Sequence, residues 1–242
     1  MAQKFTKYNL KPGRRIGSRY RVEALLGAGS EGEVYRVRDQ GTGIHRAAKI
    51  YFPHRDPKQR LSEQHARKLN RLRHCSIVLQ YHHSEAITIR GHKTVAVISE
   101  LCEGVPLQAW VDSQRGQRVA PFIALTILRD LAAGLEQIHA LREYHADVHT
   151  ENILIKPRGV CFDLKLIDFY EWGRPTRAKM KQDILDAVRV CYDMIGGREH
   201  YGVQPDEVRH VIANMRSDLI LKRFPTSATL REHLETFEWS EP

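Results

Sequence analysis

Residues Tyr144–Ile155 read YHADVHTENILI, where a carboxylate (Asp147), an imidazole (His149), a second carboxylate (Glu151) and an amide (Asn152) crowd together ahead of an apolar triplet. Earlier, LGAGSEGEV sets Gly27, Gly29 and Gly32 in a G-x-G-x-x-G-x-V array that ends at Val34. Lacking Cβ atoms, such a loop lets its backbone curl closely over a phosphate chain. The triplet by itself is weak, because it also opens dinucleotide-binding folds, but those need a helix directly after the glycines. Here EVYRVRD follows and reads as a strand, so the array is expected at the tip of a β-hairpin. Lys49 ends the next strand behind Ala47 and Ala48, where a cation reaches phosphates lying beneath that hairpin.

The elements that must position these groups fall into two parts. From Tyr20 to Glu100 the chain is strand-rich: YRVEALL, EVYRVRD and HRAAKIYF, then AITIR and KTVAVISE with a turn at Gly91-His92. Between them a helix is expected over 57–73, with Leu61, His65, Leu69 and Leu72 on one face. After Glu103-Gly104 a long amphipathic helix is expected, its stripe made by Leu125, Leu128, Leu131, Leu135, Ile138 and Leu141. Short β segments NILI and DLKLIDF follow, then helices over 183–195, 205–215 and 227–236. The expected domains are a basic arm at 1–19, a β-rich lobe at 20–100 and a mainly helical lobe at 101–242. Ligands often bind in a cleft between such lobes.

With 242 residues, 42% of them hydrophobic and 28% charged, the chain is long enough for one large domain or two joined lobes. No apolar run approaches a membrane span, and the first residues lack a signal-peptide core. Cys75, Cys102, Cys161 and Cys191 are scattered without metal-ligand spacing, which suits the reducing cytoplasm. The net charge of +9 calls for an anionic partner. Lys4, Lys7, Lys11, Arg14, Arg15, Arg19 and Arg21 concentrate it near the N-terminus. An acidic protein is one reading of that arm's partner. Nucleic acid is disfavoured, because only Phe5 and Tyr8 are there to stack on bases. The plainer expectation is a solvated, partly disordered lead-in.

Taken in order, these motifs resemble the protein kinase superfamily from about Tyr20 to Glu238. Gly27–Val34 matches the family's glycine loop, Lys49 its strand lysine, His145–Asn152 its H-R-D-x-x-x-x-N catalytic loop, and Asp168–Phe169–Tyr170 its D-F-G. ISELCEG resembles the segment that binds adenine, with Ser99 as gatekeeper. The resemblance implies an α+β, bilobal kinase-like fold with a β-rich N-lobe and a mainly helical C-lobe. It implies ATP and Mg2+ as well. Asp147 would orient a hydroxyl and take its proton, Lys49 would hold the α- and β-phosphates, and Asn152 and Asp168 would hold the metal. Gly27, Gly29, Gly32, Val34, Ala47, Glu100 and Cys102 would line the nucleotide.

The departures from the family pattern are specific. Ala146 replaces the arginine that receives a phosphorylated activation loop. Only 14 residues lie between Asp168 and Asp183, which resembles the aspartate that braces the catalytic loop, so the activation segment is shortened. No A-P-E stands there, and Arg223 must find another partner than its glutamate or face water. His149 takes the place of a phosphate-contacting lysine, as in small-molecule kinases of the aminoglycoside phosphotransferase type; its other reading is a hydrogen bond to nearby backbone. Tyr170 replaces a flexible glycine. Glu63 is the candidate partner of Lys49, although counting back from RLRH puts His65 at the family's glutamate position. The leading expectation is an atypical serine/threonine protein kinase of bacterial type. The alternatives are a kinase of small molecules and a nucleotide-binding pseudokinase scaffold.

Overall fold

The computed structural model describes residues 7–169 and 173–239 and divides into two compact units. The first holds residues up to His74 together with Leu79–Cys102. The second holds Cys75–Val78 and the chain from Glu103 onward.

The first unit is built on one antiparallel sheet. Its strands are β1 (Arg15–Ile16), β2 (Tyr20–Ala28), β3 (Gly32–Asp39), β4 (His45–Tyr51), β5 (Tyr81–Ile89) and β6 (His92–Glu100), in the order β1-β2-β3-β4-β6-β5. Alternation sorts the faces: Tyr20, Val22, Tyr35, Val37, Ala48, Ile50, Ala96 and Ile98 all enter one core. The two edge strands are tied by Glu85 of β5, which accepts the Ser18 N–H at 2.9 Å just past β1. The β5–β6 turn is at Arg90-Gly91, both at positive φ, one residue earlier than the sequence pattern indicates; such a two-residue turn matches the strands' twist. Helix α1 (Arg60–Arg71) starts where the buried Asp56 carboxylate accepts the Leu61 and Ser62 N–H groups at 2.8 and 3.4 Å. Leu69 and Leu72 are buried, with Leu61 and His65 half-buried beside them.

Residues 8–10 correct the expectation of a solvated lead-in, while Lys7 and residues 11–15 are exposed. Tyr8 is 0% exposed in the sheet's core, where its hydroxyl donates to Tyr51 O at 2.7 Å. The Tyr8 and Asn9 N–H groups donate to the two oxygens of Glu33 at 3.1 and 3.2 Å, and Leu10 N–H to the Tyr35 hydroxyl at 3.0 Å. A buried carboxylate needs donors, and this segment supplies two.

The second unit is mainly helical. It contains α2 (Leu107–Asp112), α3 (Pro121–Ala140), α4 (Arg177–Met194), α5 (Gly197–Tyr201), α6 (Asp206–Ile212), α7 (Ser217–Arg223) and α8 (Ser227–Thr236). The short α2, α5 and α7 have too few turns for a periodic pattern. The α3 stripe is buried as expected except for Leu141, which is 45% exposed because the helix stops at Ala140. Helix α4 begins six residues before the expected start, because the Thr176 hydroxyl caps it by accepting Lys179 N–H at 3.3 Å. A three-stranded sheet of β7 (Val105–Pro106), β8 (Ile153–Arg158) and β9 (Cys161–Leu166) completes the unit. No helix among the described residues is long and apolar enough to cross a membrane.

Replacing Tyr8 by Ala removes a core aromatic and the anchor of the N-terminal segment, so unfolding in urea should show a loss of about 3 kcal/mol. An unchanged midpoint would return these residues to a solvated arm.

Candidate functional site

In the first unit, strand register brings the expected nucleotide residues together. Gly27 pairs with Val34, Val34 with Lys49 and Lys49 with Val97, one rung across four strands; on the same face Ala47 pairs with Ser99. The turn before β3 closes through Gly29 N–H donating to Gly32 O at 2.9 Å. The three glycines differ in their reasons. A Cβ at Gly32 would sit 2.1 Å from the Ile50 carbonyl oxygen, so β4 itself demands glycine there. A Cβ at Gly27 or Gly29 would meet nothing within 4 Å, so those two leave open space over the loop.

Lys49 is only 14% exposed at its side chain and pairs with Glu31 of the same loop at 3.3 Å. Its ammonium also lies 5.2 Å from the Tyr51 ring centroid. The expected partner Glu63 does not serve: it faces solvent at 57% side-chain exposure and pairs with Arg67 one turn on. His65, at the position reached by counting, accepts or donates a 2.7 Å bond with the Tyr51 hydroxyl instead. Helical phase decides this, since Glu63 stands about a third of a turn round α1 from the buried Leu69 and shares the exposed side with Arg67. Nothing in the sequence singles out Glu31 except its place inside the glycine array. At the end of β6, Glu100 N–H donates to Gln80 O at 2.9 Å, and Cys102 is half-buried.

In the second unit, the stretch from Tyr144 to Asn152 is held from beneath by Asp183 of α4. This carboxylate is 0% exposed and accepts His145 N–H and Ala146 N–H, each at 2.8 Å, with the His139 imidazole 3.0 Å away. Ala146 sits at φ 74°, a left-handed conformation costing a residue with a Cβ roughly 1–2 kcal/mol, and the Asp183 bond holds it there. His145 takes Asp147 N–H at Nδ1 (3.2 Å), so its Nε2–H donates to Ile167 O at 2.9 Å. Its ring centroid lies 4.4 Å from that of Phe169.

The reactive groups follow from this frame. Asn152 Nδ2 donates to the Asp147 carbonyl and to Asp147 Oδ2, both at 3.0 Å. Asp147 Oδ1 and Asn152 Oδ1 have no hydrogen-bond partner among the described residues, so one carboxylate oxygen and one amide oxygen are available as acceptors. His149 makes the backbone hydrogen bond of its second sequence reading, with Nδ1 accepting Glu151 N–H at 3.3 Å, while Nε2 stands 3.5 Å from Asp147 Oδ2. Ile153 and Ile155 are buried in β8, which pins the loop's end, and Ile167 N–H donates to Asn152 O at 3.0 Å. Asp168, next in line, is at φ 56°. Tyr170 lies outside the described residues. Arg223 donates to the His210 carbonyl, the substitute partner its family role lacks.

Near Asp183, burial pushes the Asp186 carboxyl up to about 6 from 3.8, with the charges of Asp183 and Asp147 adding to the rise against a Gln182 hydrogen bond. Between these values the folded state binds more protons than the unfolded chain, so stability falls as pH rises through that window. Asp186→Asn keeps the Gln182 bond and should raise the melting temperature at pH 8, an advantage of about 1 kcal/mol once solvent screening of this half-buried carboxylate is allowed for, which vanishes near pH 4. An equal gain at both pH values would refute this.

A family model described as protein kinase domain matches residues 20–192. The chain is 29% identical over 167 residues to CBL-interacting protein kinase 22 of Oryza sativa subsp. japonica, covering 64% of this chain and 36% of that protein. It is 29% identical over 150 residues to the serine/threonine-protein kinase PkaB of Streptomyces coelicolor, covering 60% and 34%. It thus spans about a third of the length of these curated relatives. The crystal structure of the Mycobacterium tuberculosis PknI kinase domain, solved as a double mutant, superposes with a TM-score of 0.66 at 18% identity. That match covers 93% of this chain and 96% of the other, and shows the same α+β fold.

Proposed function

The chain belongs to the protein kinase family, and from that premise we propose that it transfers the γ-phosphoryl group of ATP to a serine or threonine hydroxyl of a protein. The observation that carries the reading is the Asp147–Asn152 pair, fixed at 3.0 Å with one oxygen of each uncommitted. Asp147 Oδ1 receives the acceptor's hydroxyl proton as its oxygen attacks the γ-phosphorus. The bond from that phosphorus to the β–γ bridging oxygen breaks, and ADP leaves with the electron pair. Asn152 orients Asp147 through its amide N–H while presenting its oxygen.

The donor set fits a hard divalent cation. Asn152 Oδ1 and the Asp168 carboxylate are oxygen ligands of the kind Mg2+ prefers, and among the described residues no His/Cys/Asp/Glu cluster suggests a softer metal. When bound, Mg2+ neutralises phosphate charge. Lys49 binds the α- and β-phosphates, which compete with Glu31 for its ammonium. Gly27 and Gly29 admit the phosphate chain beneath the hairpin, with Gly32 holding the loop to β4. Val34 and Ala47 pack against the adenine, and backbone at Glu100 and Cys102 hydrogen-bonds its edge. The four cysteines are free thiols, which supports a cytoplasmic setting.

A second acceptor class, small molecules, is favoured by one observation, the His149 imidazole 3.5 Å from Asp147, which places a ring N–H donor beside the base. Labelled ATP decides: label on protein hydroxyls supports the main reading, label on small metabolites alone the second, and none the scaffold. Asp147→Ala should cut kcat at least about 100-fold while ATP affinity stays at the wild-type value; retained turnover would remove Asp147 from its role.

The same sheet face supports an acidic protein segment as partner. Arg15, Arg21 and Arg38 are direct neighbours on β1, β2 and β3, and all three are exposed. Like charges directly opposite one another destabilise a sheet. Arg15 and Arg21 donate only to neutral oxygens, and Arg38 has no ion pair among the described residues. Changing all three to Gln should weaken binding of an oligo-glutamate peptide at low salt by about tenfold or more. Equal affinity, or preference for single-stranded nucleic acid of the same charge, would speak against this partner.

A further inference from the structure

Two side chains around the catalytic loop have no part in the chemistry above and are nonetheless tightly engaged. Tyr144, immediately before His145, is fully buried, and its hydroxyl donates to Gly173 O at 2.8 Å. Lys179, in the first turn of α4, donates to that same hydroxyl at 3.2 Å and to Arg174 O at 2.9 Å. Its ammonium lies 4.6 Å from the Tyr144 ring centroid. The Lys179 backbone N–H is taken by the Thr176 hydroxyl at 3.3 Å, so one residue holds both the carbonyl before Pro175 and the helix cap after it.

We propose that Tyr144 and Lys179 are positioning residues that clamp the segment Gly173–Thr176 onto the catalytic loop without any phosphate. The inference deepens the kinase reading and rests on it. Its physical basis is where the positive charge stands. Ala146 supplies no cation, while the Lys179 ammonium is satisfied by two oxygens of the unmodified chain and by the face of a phenol ring. The phenol hydroxyl donates to one oxygen and accepts from the cation, so each bond polarises the other. Tyr144 cannot yield, because its neighbours His145 and Ala146 are bonded to the buried Asp183. A segment tied in this way has its working position before any modification, which a phosphate-dependent segment does not.

The test uses the full chain, with Tyr144→Phe, Lys179→Met and Lys179→Arg. Initial rates are measured on a serine/threonine peptide library, and amide exchange is followed over residues 173–178. Tyr144→Phe and Lys179→Met should each lower kcat about tenfold, as expected for one lost charge-assisted bond, with the KM for ATP unchanged. Exchange over 173–178 should speed up by about the same factor. Lys179→Arg should restore most of both. Wild-type protein stripped with phosphatase should keep its rate. Unchanged exchange or unchanged kcat in the two disabling variants overturns the clamp, as does a wild-type rate that appears only after phosphorylation within 173–182. If the wild type phosphorylates nothing, the kinase reading fails and exchange alone judges the clamp: faster exchange in both variants upholds it, wild-type exchange overturns it.

Discussion

A single buried carboxylate organises the second unit. Asp183 lies in the interior with no solvent exposure, and leaving it there without donors would cost several kcal/mol. Two consecutive amides and an imidazole satisfy it. Because both amides belong to the loop, the carboxylate's need for donors is also a constraint on the loop's backbone. That constraint keeps Ala146 in a left-handed conformation and sends the chain on toward Asp147 at a set angle. The His145 ring, packed on Phe169 and bonded to Ile167 O, carries the same order to the residues around Asp168. One acidic side chain thereby relates the proposed base to the proposed metal ligands.

The first unit meets a different requirement, keeping a glycine hairpin open while its base stays rigid. The rung through Gly27, Val34 and Lys49 puts small and charged groups on one face and leaves the other face to the apolar core. The core is completed by Tyr8 and its neighbours, held through the buried Glu33 that directly follows Gly32. Anchoring at Glu33 and close packing of Gly32 against Ile50 fix where the hairpin starts. The open space at Gly27 and Gly29 leaves its tip free of side-chain obstruction.

Where the chain departs from its family, other groups take up the charges involved. The lysine of β4 meets Glu31 of the loop while Glu63 turns outward. Arg223, with no A-P-E glutamate, bonds the His210 carbonyl. The cation absent at Ala146 reappears on α4 as Lys179, bonded to unmodified backbone and a tyrosine. In all three a cationic side chain is met by an oxygen that the family pattern does not assign to it.

The two-part organisation, the strands, the long α3 helix and the order of Gly27, Lys49, Asp147, Asn152 and Asp168 were legible in the sequence, because hydrophobic period and motif spacing are local properties. Tertiary structure alone decided that Tyr8 is core, that Glu31 rather than Glu63 meets Lys49, that Leu141 leaves the α3 stripe, and that Tyr144 and Lys179 join. These outcomes depend on helical phase, strand register and the pairing of buried charge between distant segments. Local pattern carries none of that information, since it exists only once the segments have packed.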